Sequence, residues 1–150
     1  MDASALSTIR IDREGVWYYL DQPLERLGLV QLFGTVLSKQ QDGYYLTTPA
    51  ERLKIMVEDV PFAVVNVDAD AQGNITLTLN DTSRLLLNAD RRMRYSDASI
   101  MYVSISDATE NMLEARFTLR AYLQIAEYFQ QSDDSTFVLK SFGATLSLKI

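Results

Sequence analysis

Gly43-Tyr44-Tyr45-Leu46-Thr47-Thr48-Pro49-Ala50-Glu51-Arg52-Leu53-Lys54-Ile55-Met56-Val57 is the stretch on which the fold of this chain turns. Asp42-Gly43 marks a turn into Tyr44, Tyr45, Leu46 and Thr47, all strand formers. Thr48-Pro49-Ala50 ends that strand, because proline has no N–H to give to a ladder. Leu53, Ile55 and Val57 then alternate with Arg52, Lys54, Met56 and Glu58, the period of a half-exposed strand. Near the end of the chain the same texture returns. Phe137-Val138-Leu139 echoes Tyr44-Tyr45-Leu46, and Leu148-Lys149-Ile150 echoes Leu53-Lys54-Ile55.

Outward from this stretch the order of elements repeats as well. Upstream, Ile9 and Ile11 alternate with Arg10 and Asp12, and Val16 to Leu20 are good strand residues, so a hairpin around Gly15 is expected. Asp21 is read as a helix cap with Pro23 in the first turn, leading a helix from Leu24 to Ser38. Leu27, Val30, Phe33 and Leu37 mark one face of it, and Leu29, Leu32 and Val36 widen that face, which predicts cover on more than one side. Gly28 and Gly34 would let another backbone come close. Pro61 punctuates the middle and is the expected boundary between units at 1–60 and 61–150. Beyond it, Phe62 to Val67, Ile75 to Leu79, Arg84 to Leu87 and Met101 to Ile105 read as strands. A second helix is expected from Leu113 or Arg116 to Gln130, turning Leu119, Tyr122, Leu123, Ala126 and Phe129 toward the core. Phe137 to Lys140 and Leu146 to Ile150 finish as strands. Val16 to Val57 and Met101 to Ile150 thus share one order: strand, helix, turn, strand, strand. The expected fold class is α+β, two β-rich units that each pack an antiparallel sheet with one helix.

Composition narrows the chemistry. The 150 residues include no histidine and no cysteine. A Ser-His-Asp relay, a Cys-His pair, a structural zinc site and a disulfide are therefore excluded. Fourteen basic residues against twenty acidic ones give a net charge of -6, which repels phosphate backbones and argues against nucleic acid as a partner. Met1 to Thr8 carries no charged stretch leading into an apolar run, and no apolar run approaches the roughly 18 residues of a membrane span. A cytoplasmic protein with no cofactor and no metal is expected.

Each motif has a plain structural competitor. Asp68, Asp70, Gln72 and Gly73 imitate the start of a calcium loop, but the twelfth position is Leu79 where a bidentate Glu is needed, so a turn is expected. Arg91, Arg92 and Arg94 with Tyr95 form the one dense basic cluster; phosphate binding competes there with a solvated loop. Glu58 and Asp59 are neighbours on a strand and should point to opposite faces, one capping a turn or pairing with Arg26 or Arg52. Trp17 shares a face with Tyr19 and opposes Val16, Tyr18 and Leu20, which predicts burial on both sides; ligand stacking is the alternative. No serine or threonine has an activating base, and neither GxGxxG nor GK[ST] is present.

From Asp12 to Phe62 a string of short motifs becomes familiar: Gly15-Val16-Trp17-Tyr18-Tyr19, Pro23-Leu24-Glu25-Arg26, Leu29-Val30-Gln31-Leu32-Phe33, Gly43 to Glu51, and Val57-Glu58-Asp59-Val60-Pro61-Phe62. This resembles a bacterial family known only as a domain of unknown function, number twelve eighty-five of that series. Leu113-Glu114-Ala115-Arg116 resembles its second half more loosely. The resemblance implies a duplicated fold, a C-terminal half like pleckstrin-homology domains, a binding site between the halves and a role in signal transduction. Carried over by position, its seam residues are Trp17, Arg26, Thr48, Glu51, Glu58, Asp59, Phe62 and Arg116. An embedded pair such as Arg26 with Glu51 or Glu58 would instead lock one half to the other.

The expected function is a non-enzymatic binding or regulatory module. Its ligand would be a small anionic molecule, a nucleotide or a protein segment at the seam. Arg26 and Arg116 would supply charge, Trp17 and Phe62 surface, and Glu58 or Asp59 orientation. The competing readings are an enzyme using carboxylate acid/base chemistry in the same cleft, and an adaptor that self-associates through the edge strand Leu146 to Ile150.

Overall fold

Residues 8–105 and 112–150 are described in the computed structural model. Residues 1–7, on which most of the leader reading rests, and Ser106 lie outside them. The hairpin forms where the alternation placed it, from β1 (Ile9–Ile11) to β2 (Trp17–Tyr19), with Ile11 opposite Trp17. Asp12 closes its turn by accepting the N–H groups of Glu14 and Val16 at 3.0 and 2.9 Å. Gly15 takes φ +82°, a value that its missing Cβ permits.

After β3 (Gln22–Pro23) come the helix α1 (Leu27–Thr35) and the antiparallel strands β4 (Leu37–Gln40), β5 (Gly43–Thr47) and β6 (Arg52–Val57). They close one six-stranded sheet in the order β3-β2-β1-β6-β5-β4, in which β1 and β6 run parallel. The second unit repeats the plan. Strands β7 (Phe62–Ala69), β8 (Ile75–Leu79), β9 (Arg84–Leu86), β10 (Met93–Tyr95), β11 (Met101–Ser104) and β12 (Glu114–Phe117) form a six-stranded sheet ordered β10-β11-β12-β7-β8-β9. Its one parallel pair is β7 with β12. The helix α2 (Leu119–Ala126) leads into an antiparallel sheet of β13 (Gln130–Asp133), β14 (Thr136–Ser141) and β15 (Ala144–Lys149). The fold is α+β, two β-rich units with one helix each. The echoing strings lie in matching places: Tyr44 to Leu46 in β5 and Phe137 to Leu139 in β14, Leu53 to Ile55 in β6 and Leu148-Lys149 in β15.

The structure shortens both helices. Asp21 and Pro23 lie outside α1, because Gln22-Pro23 pairs with β2 as an edge strand that tolerates proline. Arg26 is the N-cap instead. At the other end Leu37 to Gln40 leaves the helix to pair with β5. Only Val30 of α1 is buried while Leu27 and Leu32 face water, so the helix is covered on one side, not several. In the second unit Glu114 to Phe117 pairs with β11 and Gln130 to Asp133 with β14, which trims the expected helix at both ends. Its phase differs too: Ala121 and Ile125 are buried, whereas Leu119 and Leu123 are 73% and 63% exposed.

The anchor of α2 explains that phase. Strand β7 has a register shift between Val64 and Asn66, which strands polar groups. Gln124 takes them up, accepting the Val67 N–H at 2.9 Å and donating to Asn66 Oδ1 at 3.1 Å. Thr118, the N-cap of α2, donates its hydroxyl to the Val64 carbonyl at 2.9 Å. A helix docked through polar groups at positions 118 and 124 must turn Leu119 and Leu123 outward.

Candidate functional site

The units meet along α1, the Gly15 turn and the start of β7. Asn80, just past β8, pins them together. Its Nδ2 donates to the Gly15 carbonyl at 2.6 Å, and its Oδ1 accepts the Ala63 N–H at 3.1 Å. A Cβ on Gly15 would lie 2.8 Å from the Ala63 Cβ, so the turn can approach this closely only with glycine. From α1, Gln31 donates to the Thr82 hydroxyl at 2.7 Å, and Gly34 packs toward Phe62 and Asp81.

These contacts leave a crevice of about 360 Å³ between the units. Trp17, Leu24, Leu27 and Val30 line it from the first unit, and Val65, Thr78, Leu79, Asn80 and Thr82 from the second. Trp17 is buried and stacks on Phe33 of α1, with ring centres 5.9 Å apart. Glu14 and Glu25 also line the crevice, with no lysine or arginine among its described walls. The cavity is apolar inside and negative at its rim.

A second set of contacts crosses the seam at Asp59. Its Oδ2 accepts the Tyr102 hydroxyl at 2.8 Å and an Arg116 N–H at 3.3 Å. Arg94, Tyr102 and Arg116 face one another across β10, β11 and β12 in ladder register. Arg94 grips Glu114 with two bonds of 2.7 and 3.0 Å and lies 3.9 Å over the Tyr102 ring. Burial, then the Asp59 carboxylate, holds the Tyr102 phenol above its ordinary pKa. Tyr44 of β5 is raised as well, by burial and then by Glu114 and Asp59. The Glu114 carboxylate raises the Arg94 guanidinium. Arg94 with Glu114, and Asp59 with Tyr102 and Arg116, are satisfied by one another, the arrangement of a clasp.

The eight positions carried over from the resemblance do not form one site. Trp17 lines the crevice. Phe62 is core beneath Gly34. Asp59 and Arg116 belong to the clasp. Glu58 points the other way, accepting from Arg10 at 3.4 Å and from the Arg13 N–H at 3.1 Å. The two carboxylates diverge, as expected, but from a bend just past β6 and not from a strand, and their side-chain partners are Arg10 and Arg116, not Arg26 or Arg52. Arg26 is exposed, and no ion pair with Glu51 or Glu58 forms among the described residues. Thr48 and Glu51 build the turn between β5 and β6, the Thr48 Oγ1 accepting the Ala50 and Glu51 N–H groups at 3.3 and 3.2 Å. Burial on both faces of β2 is also corrected: Trp17 is buried while Val16, Tyr19 and Leu20 are exposed.

The basic cluster disperses. Arg91 donates to the carbonyls of Leu86 and Ile105, Arg94 holds Glu114, and Arg92 is exposed. The calcium imitation is a turn in which Asp70 accepts the Gln72 and Asn74 N–H groups, each at 2.9 Å. No group of three or more metal-ligating side chains occurs among the described residues, and no described helix is long and apolar enough to cross a membrane. Asn80 and Tyr102 were missed. Each falls where the alternation reads a wet face, a position that carries no sign of a partner in the other unit; the structure buries Tyr102 against Asp59 instead.

Residues 2–60 match the N-terminal domain of a family described as a domain of unknown function, DUF1285. A solved DUF1285 family protein from Silicibacter pomeroyi DSS-3 superposes with a TM-score of 0.80 at 28% identity, covering 96% of this chain and 80% of that one. The chain resembles the DUF1285 family. A DUF1285 family protein from Shewanella baltica OS155 shares the fold, with a TM-score of 0.67 at 21% identity over 84% of this chain and 95% of that one. No protein of curated function matches the chain. The residues matched to the DUF1285 N-terminal domain include Trp17 and Val30 of the crevice and Asp59 of the clasp.

Proposed function

We propose that this protein is a non-catalytic binding module of two lobes, 1–60 and 61–150, whose seam crevice receives a protein segment. The segment carries an apolar side chain for the cavity and a positive charge for its rim. The observation that carries this reading is the crevice lining: Trp17, Leu27, Val30 and Leu79 around an opening flanked by Glu14 and Glu25. Such a surface attracts a cation and repels a phosphate. Of the expected ligands, the protein segment therefore fits better than an anion or a nucleotide, and a regulatory role in signal transduction is the setting the family resemblance suggests. Acid/base catalysis is less well supported. Glu14 and Glu25 are exposed to water, the environment of a steering charge.

Trp17 is the single tryptophan, so its fluorescence reports on the crevice alone. Titration with short peptides combining Leu or Phe with Lys or Arg is expected to change that emission saturably. Glu14→Gln with Glu25→Gln should weaken binding and flatten its salt dependence. ATP binding with an equal Trp17 response and no peptide response would reverse the assignment.

A further inference from the structure

The second unit contains a separate cleft that the seam does not use. β10 is the edge of the six-stranded sheet and β15 the edge of the three-stranded one, and no ladder joins them. The short helix α2 roofs the gap. An apolar cavity of about 180 Å³ remains inside, among Ala126, Phe129, Phe137 and Leu148. It adjoins an outer cleft of about 370 Å³ bordered by Ser99, Ile100 and Phe117. Tyr95, Met101 and Tyr122 line both.

Tyr95 is the polar centre of this space. The hairpin from β10 to β11 turns through Ser99 at φ +64°, tied by the Ser96 N–H to the Ile100 carbonyl at 2.9 Å. The Tyr122 hydroxyl from α2 and the Ser99 hydroxyl from the turn both bear on the Tyr95 oxygen, and they lower its pKa below the ordinary phenol value. Tyr95 and Tyr122 line both cavities, so this group of hydroxyls stands where the apolar space opens into the outer cleft. The nearby cation is already paired. Arg116 also lines the outer cleft, but its charge is matched there by Asp59, whose carboxylate accepts its N–H at 3.3 Å.

We propose that this cleft binds a small, uncharged, mainly apolar molecule ending in a carbonyl oxygen, its body among Phe129, Phe137 and Leu148 and its carbonyl accepting the Tyr95 hydroxyl. The size, the aromatic lining and the few convergent hydroxyls are those of a small-molecule pocket. The site shares no wall with the seam crevice, so the two readings stand or fall separately.

Acetophenone, ethylbenzene and benzoate are titrated separately into the methyl-labelled full chain, followed by the NMR signals of Met101, Leu148 and Ile150. Acetophenone is expected to shift these signals saturably. Ethylbenzene, without the acceptor, and benzoate, with a charge, should bind roughly tenfold more weakly. Tyr95→Phe should reduce acetophenone to the affinity of ethylbenzene and leave ethylbenzene unchanged. No saturable shift at these methyls, or shifts confined to the Trp17 crevice, overturns the site. Equal affinity of acetophenone for Tyr95→Phe and the parent, or tighter binding of benzoate, overturns the ligand class.

Discussion

Asn80 is the side chain on which the seam most directly depends, since one amide satisfies a carbonyl of the first unit and an N–H of the second. Asn80→Ala leaves both backbone groups without that partner. A loss of about 2–3 kcal/mol in urea unfolding is expected, on the scale of two orphaned polar groups. Gly15→Ala attacks the same contact from the other side, through a positive φ and a clash, and should cost about 2 kcal/mol or more. In a double-mutant cycle the two losses should be clearly less than additive, because either change alone opens the seam. Full additivity would mean that the turn and the amide do not share one interface. Asp59→Asn is a different test. It keeps an acceptor for Tyr102 but removes the charge that Arg116 faces, so the alkaline shift of Tyr102 should shrink in a spectrophotometric phenol titration.

At the scale of elements, α2 shows how a helix can be correctly expected and wrongly oriented. Leu119, Tyr122, Leu123, Ala126 and Phe129 make a convincing apolar stripe, yet the helix is fixed by Thr118 and Gln124 on a bulged strand. Polar anchors to a register shift leave no period for sequence to display. Gln124→Ala should therefore cost about 1–3 kcal/mol, far more than is usual for a half-exposed glutamine, and should speed hydrogen exchange at Val67 N–H selectively. Unchanged exchange there would mean the bulge is held by the strands alone. The strands were legible where strict alternation ran beside turn residues, as in Ile75 to Leu79 after Gly73 or Tyr44 to Val57 around Pro49. They were hidden where pairing overrode propensity: Leu37 to Gln40 and Glu114 to Phe117 look helical and become strands because a neighbour offers a ladder. The candidate site was legible only in part. Trp17 announced itself by its type and Asp59 by its neighbour, whereas the partners Tyr102 and Asn80 depend on how two sheets meet.

For the whole molecule, the absence of histidine makes a definite statement about pH. Tyr102 and Tyr44 have phenols raised chiefly by burial, so the folded state holds their protons more tightly than the unfolded chain does. Their contribution is complete below about pH 10, the unfolded phenol value, and is lost as pH climbs through the higher folded values. Tyr95 moves downward while Tyr122 rises beside it, so the two act on the alkaline limb in opposite directions. On the acid side Asp70 and Asp133 are lowered first by backbone N–H groups of their turns, and Asp42 by the Tyr45 hydroxyl. Their contribution is present above about pH 4 and disappears as pH falls through the lower folded values. Between these limits no described side chain has an ordinary pKa at which to titrate. The melting temperature should form a plateau from about pH 5 to 9, with one descending limb at each end. Asp70→Asn preserves the turn acceptor without a titrating group, so its acid limb should be shallower than the parent's. Tyr102→Phe should soften the alkaline limb and leave the acid limb in place. A step in melting temperature near pH 6 to 7 would contradict this account, because with no histidine it would require a carboxyl group raised far above its ordinary range.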